Sequence, residues 1–588
     1  MPLLSKRAIS QFIQRDCPKQ LRLLLHPDND EYRQEREELG LPGPHAPRPG
    51  LEHIAQAGRE WEAEKTMDLR NALGADALKA DAHTNDNGEP RFRPICLDTA
   101  LEDVEAGMFL VEPTYEVGPV FKEAHGLDEL DIDIQDLRPD LVEIRPPGRD
   151  TEIVAPDGST RLIDEEDERL QLRVIDIKLT AEPSAHYFTE VTYYTLTLAA
   201  WLQENALDDS FVVSSDIVVW PGSHEGANIV AVQREARESG VEPTKAELLA
   251  ALEEDLEHGP YNVFSSRLQE FFNERLPQVL DTPWQDLEWH VDHRCIGCQY
   301  LGQWTDEPDP FHCRRLARET GDLSRVAHLS RGASESLRDQ GILSVETLAE
   351  AGADDEAFDH HHMLRATRTV ISERAAALQE SSAGIPEEAG TSAIMPSWAD
   401  LRVHLTVDFD VGSGITLALG LKAFWWGGDG EHDSWGPEVF IVDEREPEVE
   451  RRELLEFLRL IRGITEEVAT RTEDPSVQFY IWDEVQYQHL TRIVGRHLME
   501  ILRREGLGDL AWLFPPEQVV ENPDQSTRNS PITLVSDVIR AVLAAPVPHA
   551  YSLLTLAREY QHEDVPEYLA DFDVHPLFED PLSSQVPS

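Results

Sequence analysis

The stretch Leu172-Arg173-Val174-Ile175-Asp176-Ile177-Lys178-Leu179 decides how the first part of this chain folds. It is short and its apolar residues are largely branched, which predicts a buried β-strand. Side chains at positions i and i+2 of a strand share a face, so Asp176 and Lys178 project together from one edge of a sheet. A buried carboxylate beside a buried ammonium is costly unless the two hold an ion or a reacting group. A carboxylate that holds a divalent metal, with a lysine beside the scissile phosphate, is what metal-assisted phosphodiester cleavage needs.

Length and composition bound the class of protein. At 588 residues the chain is long enough for about two to four domains, each with its own core. No apolar run reaches the roughly 18 residues that a membrane span needs, and residues 1–15 lack the apolar core of a signal peptide. We therefore expect a cytoplasmic protein without a membrane segment.

The charge of the chain is extreme. It holds 112 acidic and 52 basic residues, a net charge of −60, and only eight of the bases are lysine. Such an excess of acid, spread over the whole surface, resembles halophilic proteins. It is tolerated in high salt, because salt at about 1 M screens the repulsion between charges within about 3 Å. Repulsion of nucleic acid is the other interpretation of this charge, but locally basic grooves would still bind DNA. Net charge alone therefore does not exclude a nucleic-acid partner.

The alternation of helical and extended patterns predicts an α/β fold. Helical patterns cover residues 5–25, 51–73, 185–202 and 245–274, and strand patterns cover 172–179 and 211–220. A second α/β unit begins with a strand at 403–410 and continues with strands at 415–426 and 477–482. Its helical patterns cover 447–464, 486–504, 532–543 and 552–560.

Acidic residues and a lysine around the central strand match a known pattern. Pro139-Asp140 precedes a short predicted strand, Asp176-Ile177-Lys178 lies on the central one, and Tyr194 follows on a helix. This pattern resembles the RecB-like branch of the PD-(D/E)xK nucleases, which have a restriction-endonuclease-like mixed sheet. The resemblance implies that Asp140 and Asp176 bind Mg²⁺ or Mn²⁺ and that Lys178 positions or activates water.

The resemblance also implies a metal-binding acid on a helix and a second helix that contacts substrate. Glu62 is our choice for the acid, with Glu60 and Glu64 as alternatives on the same predicted helix. The substrate helix of the family carries Gln-x-x-x-Tyr, and the chain has Glu190 in place of the glutamine, four residues before Tyr194. We expect Glu190 and Tyr194 to line the substrate path.

Four of the five cysteines occupy informative places. Cys17 lies in the first predicted helix, and Cys295, Cys298 and Cys313 follow the predicted nuclease core. This order resembles iron–sulfur RecB-like nucleases, including CRISPR-associated ones, in which one cysteine precedes the core and three follow it. The resemblance implies that four thiolates hold a 4Fe-4S cluster that staples the two ends of the domain. Cys96 stands alone and fits an inert core thiol.

The spacing of the cysteines leaves a second metal open. Fourteen residues separate Cys298 from Cys313, which is a longer gap than the family usually shows. A Zn²⁺ site that uses His293 or His312 is therefore the alternative. Either metal would hold the N-terminal helix against the carboxyl end of the domain.

Two aspartates on the first strand of the second unit indicate another metal site. Asp408 and Asp410 share one strand face, so they are placed to chelate one metal ion. The unit resembles RNase H-like exonucleases of the DEDD kind. Asp410 stands where that family has Glu, Gln486 stands where it has another acid, and Asp537 is a further ligand candidate. A site short of carboxylates predicts a weakened or lost second activity.

These resemblances predict three regions. Residues 1–320 form the nuclease domain with its cysteine set, 321–395 a helical connector, and 396–588 the RNase H-like domain. Residues 330–349 fit either a helix–hairpin–helix that offers amides to phosphate or a plain connecting pair of helices. In longer relatives a helicase follows, so we expect a helicase partner or a helicase region missing from this chain. The chain itself has no Walker A motif.

The sequence as a whole predicts a metal-dependent deoxyribonuclease. It would hydrolyse phosphodiester bonds, on single-stranded DNA ends by resemblance, in repair, recombination or phage defence. The alternative is a non-catalytic nucleic-acid-binding or scaffold subunit of a helicase–nuclease complex, with its RNase H-like domain as a docking surface.

Overall fold

The computed structural model describes residues 1–45, 51–84, 90–164, 166–222, 228–302, 310–386, 395–427, 430–515 and 531–559. Within these ranges the chain is a mixed α/β protein, as the sequence predicts. It forms two compact units, Met1–Trp289 with Gly412–Gly414, and His290–Val411 with Ile415–Ser588. The division falls at residue 289 and not at the expected 320, and the expected helical connector belongs to the second unit.

A nine-stranded mixed sheet forms the centre of the first unit. Its strands, β1 to β9 in chain order, are Leu78–Lys79, Phe109–Val111, Leu141–Arg145, Glu152–Val154, Thr160–Leu162, Leu170–Ile177, Phe211–Ser214, Ile217–Trp220 and Glu257–Gly259. The order across the sheet is β5-β4-β7-β6-β3-β2-β1, and β8 pairs with β6 and with β9. Strand β6 is antiparallel to β3, and β7 and β8 pair in parallel with its two halves. Strand β6 is paired along both edges, and every residue after Leu170 is buried, including the polar Gln171, Arg173 and Asp176.

Helices cover both faces of this sheet. The helices of the first unit, α1 to α11, are Lys6–Arg15, Pro18–Leu24, Arg33–Leu39, Leu51–Leu73, Leu97–Ala100, Pro119–Ala124, Ala185–Glu204, Asn228–Ser239, Lys245–Asp255, Tyr261–Glu270 and Leu276–Asp281. On one face, Leu69 of α4 and Leu252 of α9 share an apolar core with Ile175, Ile177 and Trp220. Each such buried side chain contributes about 1.5–3 kcal/mol to folding. Helix α7 contacts β6 as well as α1, so it brings its own residues to the end of the central strand.

The second unit contains a five-stranded sheet. Its strands, β10 to β14, are Leu401–Phe409, Thr416–Trp426, His432–Ile441, Val477–Ile481 and Ile532–Leu534. The order is β12-β11-β10-β13-β14, with β10 to β12 antiparallel and β13 and β14 parallel to β10. The helices α12 to α20 are Cys313–Thr320, Arg331–Asp339, Val345–Ala351, His362–Glu380, Pro447–Arg471, Glu484–Arg496, Leu498–Arg503, Val535–Val542 and Leu553–Glu559. Across the described ranges, no helix has the length and apolarity needed to cross a lipid bilayer.

Residues 330–349 form two short helices joined by a tight turn. The Ser330 side chain caps α13 and the Ser344 side chain caps α14, and between them Gly341 has a φ of +86°, which favours glycine. Leu337 and Phe358 lie in the apolar cluster that joins these helices to α15. The pair is therefore part of a small helical core of the second unit.

Several expected elements are divided or extended, and each change has a local cause. The helix expected at 5–25 breaks at Asp16, which has a left-handed φ of 48°, and Pro18 starts α2. The helix expected at 245–274 is interrupted by β9, because the Gly259-Pro260 dipeptide disfavours a helix. Strand β12 was not expected. It is a largely exposed edge strand, so it has none of the alternation that marks a half-buried one.

Candidate active site

Two neighbouring strands bring the predicted aspartates together. Strands β3 and β6 are antiparallel, with Leu141 opposite Ile175. Continuing this register by one residue places Asp140 opposite Asp176. Asp176 is fully buried, with 0% of its surface exposed. The Ile177 amide donates a hydrogen bond to Asp140 Oδ2 at 2.7 Å, which ties the turn before β3 to the end of β6.

Lys178 pairs with both aspartates. Its Nζ lies 2.7 Å from Asp176 Oδ2 and 3.7 Å from Asp140 Oδ2. Apart from Lys178, no donor among the described residues makes a hydrogen bond to either Asp176 oxygen. Burial acts to lower the pKa of Lys178, but Asp176 and Asp140 raise it well above its ordinary value. The amine is therefore a cation throughout the neutral pH range.

The carboxylates of the site have opposite proton affinities. Burial raises the pKa of Asp176 to about 7, and the charge of Asp140 adds to this effect. Burial and Asp140 likewise raise the pKa of Glu62 to about 7. Burial also acts to raise the pKa of Asp140, but Lys178 and Lys6 hold it below its ordinary value. Asp140 is thus ionised at neutral pH, where Glu62 and Asp176 still exchange protons.

The structure distinguishes the three candidate glutamates of α4. The charges of Asp140 and Lys178 shift the pKa of Glu62. The Glu62 side chain therefore lies on the side of the helix that faces the site. Glu60 accepts a hydrogen bond from Gln56 at 2.7 Å, and Glu64 is exposed. Residues four apart share a helix face, so Glu60 and Glu64 lie together and away from Glu62. This distribution favours Glu62 as the helical acid.

Lys6, which the sequence analysis missed, forms another wall of the site. Its Nζ lies 3.1 Å from Glu190 Oε2 and 5.0 Å from the centre of the Tyr194 ring. Burial acts to lower the pKa of Lys6, but Tyr194 and Glu190 raise it well above its ordinary value. Although Glu190 is buried, Lys6 and Lys178 lower its pKa. The rarity of lysine could have drawn attention to Lys6, which is one of only eight lysines in the chain.

Glu112 is the second residue that the sequence analysis missed. It has a φ of 49°, a left-handed conformation that is rare for this residue type and is often found at functional sites. Its amide donates a hydrogen bond to the Asp140 carbonyl at 2.9 Å, and burial raises the pKa of its side chain, with a smaller contribution from Asp140. No sequence signal marks a strained backbone position in a non-glycine residue.

Tyr194 fixes the turn that carries Asp140. Its hydroxyl donates a hydrogen bond to the Arg138 carbonyl at 2.9 Å, and Arg138 lies two residues before Asp140. The Tyr194 side chain is buried, and the Tyr115 hydroxyl donates to the Tyr194 carbonyl at 3.1 Å. These contacts give Tyr194 a positioning role, while its contact with a substrate stays a prediction.

The site holds more acid than base. Its carboxylates are Glu62, Glu112, Asp140, Asp176 and Glu190, and its ammonium groups are Lys6 and Lys178. A buried carboxylate without hydrogen-bond donors is costly, and Mg²⁺ and Mn²⁺ prefer such oxygen ligands. The donor chemistry of Asp140, Asp176 and Glu62 therefore fits a divalent cation. Among the described residues these three do not form a closed set, since their ligand oxygens do not all lie within 4.8 Å of one another.

The closest-spaced ligand set in the described chain is a different one. Ligand atoms of Asp216, Glu253 and His258 all lie within 4.8 Å of one another. Arg173 pairs with both carboxylates, at 2.8 Å from Asp216 and 2.7 Å from Glu253, and His258 Nδ1 is 2.7 Å from Asp216. Against the effect of burial, His258 and Arg173 lower the pKa of Asp216. This set is part of an ion-pair network in which Arg145, Arg173 and His258 already pair with Asp216 and Glu253.

The four cysteines of the expected metal centre are divided between the units. Cys17 caps α2 in the first unit, and Cys295, Cys298 and Cys313 belong to the second. A tetrahedral zinc site, with Zn–S of about 2.3 Å, would bring its sulfur atoms to about 3.8 Å from one another. No described residues form a ligand set of that spacing around Cys295, Cys298 or Cys313. A four-iron cluster needs wider spacing, so the 4Fe-4S assignment stays a prediction.

Two of the three acids expected in the second unit pair with arginines. Asp408 is exposed near the end of β10, and Asp410 Oδ2 pairs with Arg445 at 3.4 Å. Asp537 lies on α19 and pairs with Arg540 at 3.9 Å. In the part of the chain that the structure describes, none of the three belongs to a close set of metal-binding groups. A second metal site therefore stays a prediction.

The first unit thus combines a buried carboxylate, an ionised neighbour and an ammonium that pairs with both of them at the end of one strand. Comparison with protein-family models, curated proteins and solved structures gives no match for this chain. The residues of the site are therefore the basis for assigning a function.

Proposed function

We propose that the first unit is a metal-dependent nuclease that hydrolyses phosphodiester bonds in single-stranded DNA. The observation that carries this proposal is the convergence of Asp140, Asp176 and Lys178 at the end of β6. The mixed sheet around them and the position of Glu62 support the RecB-like interpretation. Repair, recombination or phage defence, beside a helicase, is the setting that this interpretation implies.

Each side chain of the site has a distinct role in this reaction. Asp140, Asp176 and Glu62 would hold Mg²⁺ or Mn²⁺, which when bound polarises the phosphate and lowers the pKa of a water molecule. Lys178 keeps its proton, so it donates to a phosphate oxygen and stabilises the negative charge that develops there.

The experiment compares the wild type with Lys178→Ala on an end-labelled single-stranded DNA in Mn²⁺ and molar KCl. Loss of a charge that acts in the transition state lowers the rate by about 10²–10³-fold. Lys245→Ala is the matched control, because Lys245 is an exposed lysine of the same unit at the start of α9. It should retain the wild-type rate.

Equal degradation by the wild type and Lys178→Ala would remove the catalytic assignment. The alternative, a non-catalytic subunit that binds nucleic acid or serves as a scaffold, would then be the better description. That alternative also predicts that a chelator leaves the interaction with DNA unchanged, because the acids of the site would have no catalytic metal to hold.

For the second unit we keep the RNase H-like interpretation as a proposal. Three antiparallel strands extended by two parallel ones, in the order β12-β11-β10-β13-β14, support it. Among the described residues Asp408, Asp410 and Asp537 form no close set of ligands, which supports the further expectation that any second activity is weak or lost.

The cysteine set is tested by colour. A 4Fe-4S centre gives anaerobically purified protein a broad visible absorption, and Cys295→Ser should abolish it. A zinc protein would be colourless and would release zinc on denaturation. A protein that contains neither iron nor zinc would indicate that the cysteines are unrelated core thiols.

A further inference from the structure

The two faces of the sheet in the second unit differ in their chemistry. Leu401, Val403 and Leu405 of β10 point into the apolar core that contains α16 and α17. The alternate residues of the same strand, Arg402 and His404, lie on the opposite face. That opposite face borders a cavity of about 580 Å³.

Aromatic rings cross three neighbouring strands on this face. Phe424 and Trp426 of β11 are stacked, with ring centres 5.6 Å apart. His404 of β10 is stacked on Tyr480 of β13 at 5.0 Å and meets Phe424 edge-on at 5.8 Å. Since neighbouring strands lie about 4.8 Å apart, the ring surface extends for about 10 Å across the sheet.

Two cations lie over these rings. The Arg402 guanidinium is 4.7 Å from the centre of the Trp426 ring and 5.4 Å from that of Trp398, and Lys422 Nζ is 5.2 Å from that of Phe424. Among the described residues that line the cavity, Glu438 is the only acid. This balance departs from that of the chain, which has 112 acidic and 52 basic residues.

We propose that this face binds single-stranded nucleic acid, with bases stacked on Phe424, Trp426 and His404 and phosphates paired with Arg402 and Lys422. The rings offer flat apolar surfaces, and the cations offer charge to an anionic backbone, which together are what single strands require. In the RNA-recognition motif, which has a different fold, aromatic residues on an open sheet face stack two or three bases. This site is additional to the proposed nuclease site, which belongs to the first unit.

The experiment measures binding of fluorescent dT12 and of a base-free phosphodiester of the same length, in EDTA so that no cleavage takes place. Trp426→Leu should weaken binding of dT12 by about tenfold, because one stacked base is lost, and leave the base-free strand unaffected. Phe424→Leu is a second variant of the same kind. Circular dichroism establishes that each variant is folded.

Arg402→Gln separates the charge from the rings. It should weaken binding of both strands and reduce the slope of log Kd against log salt by about 0.7, the effect of one phosphate contact. Arg459→Gln is the matched control, since Arg459 is an exposed arginine on α16, the helix that packs on the other face of the sheet. It should bind both strands as the wild type does.

The proposal is overturned if the wild type does not bind dT12, or if it binds the base-free strand or a poly-glutamate peptide as tightly. It is also overturned if folded Trp426→Leu and Phe424→Leu both bind dT12 normally. Because every measurement is made without metal, a failure of the proposed nuclease activity would leave these results unchanged.

Discussion

Two fully buried carboxylates, Asp176 in the first unit and Glu450 in the second, have opposite surroundings. Glu450 Oε1 accepts a hydrogen bond from the Thr416 amide at 2.7 Å. Its Oε2 lies 2.7 Å from Arg496 Nη1 and 2.8 Å from His497 Nε2. Every oxygen of Glu450 thus has a partner, and the group joins β11, α16 and α17 as a structural tie.

Asp176 pairs with one cation, Lys178, and no other donor among the described residues makes a hydrogen bond to its oxygens. Burial acts to raise the pKa of both acids, but the partners of Glu450 lower its pKa to about 2, whereas that of Asp176 rises to about 7. The comparison teaches that burial alone does not identify a functional acid. The number of hydrogen-bond donors around the acid distinguishes the two cases, because an acid with few donors has oxygens available for a cation.

The largest expected effect is on catalysis. Asp176→Asn removes the charge that would hold the metal, so we expect Mn²⁺-dependent cleavage of single-stranded DNA to fall by about 10³-fold. The metal-free protein should remain as stable as the wild type within about 1 kcal/mol, because Asp140 still pairs with Lys178 at 3.7 Å and the cost of burying a second carboxylate is removed. A cleavage assay and denaturant unfolding in EDTA measure the two effects.

The control for that variant is Asp128→Asn, which changes an exposed aspartate of the same unit. It should alter neither quantity. If Asp176→Asn instead unfolds the first unit while any surviving protein cleaves normally, Asp176 is a structural acid like Glu450.

The next largest effect is on stability. Glu450→Gln removes the buried charge that pairs with Arg496, so we expect the second unit to lose about 3 kcal/mol. Hydrogen exchange of α16 and α17, read by mass spectrometry, measures this loss. Glu456→Gln on the same helix is exposed and should change stability by less than about 0.5 kcal/mol. An equal effect of the two variants would contradict the structural role of Glu450.

In metal-free protein, the stabilities of the two units should depend on pH in opposite directions. Glu62 and Asp176 have raised pKa values of about 7, so the folded first unit binds extra protons and its stability falls as pH rises from about 4 to 7. Glu450 has a lowered pKa of about 2, so its contribution is present above about pH 4.5 and is lost as pH falls toward 2. Hydrogen exchange, corrected for intrinsic rate, measures each unit separately.

Glu62→Gln removes about one of the extra protons that the folded first unit binds. The pH slope of the first unit should therefore fall by ~1.4 kcal/mol per pH unit between about pH 5 and 7. Saturating Mn²⁺ should flatten the same slope in the wild type, because a cation replaces the protons. An unchanged slope in both tests would mean that the acids do not share a cation site.

Local pattern predicted the parts of the fold that local physics determines. Strand β6, at Leu170–Ile177, lies within two residues of its expected position because both of its faces are buried. The pairing of Asp140 with Asp176 depends on the register of two strands about 30 residues apart along the chain, which local pattern does not specify. The resemblance supplied that pairing, not the residues alone.

The remaining differences concern long-range contacts. Lys6 meets Glu190 across more than 180 residues of sequence, and no pattern near Lys6 indicates such a partner. The ring surface around Trp426 was also unpredicted, because its members come from three strands and share no motif. Both examples are contacts between elements distant in sequence, which a local pattern does not specify.

The smallest expected effect concerns Tyr194, and it separates positioning from substrate contact. Tyr194→Phe loses the hydrogen bond to the Arg138 carbonyl, which should cost about 1 kcal/mol of stability. Tyr261→Phe is the matched control, since the Tyr261 hydroxyl donates to the Gly158 carbonyl at 3.0 Å in the same unit and away from the site. If Tyr194 positions the turn that carries Asp140, its variant alone should lower kcat, by about fivefold, with KM unchanged. A raised KM at constant kcat would instead support direct contact with the DNA.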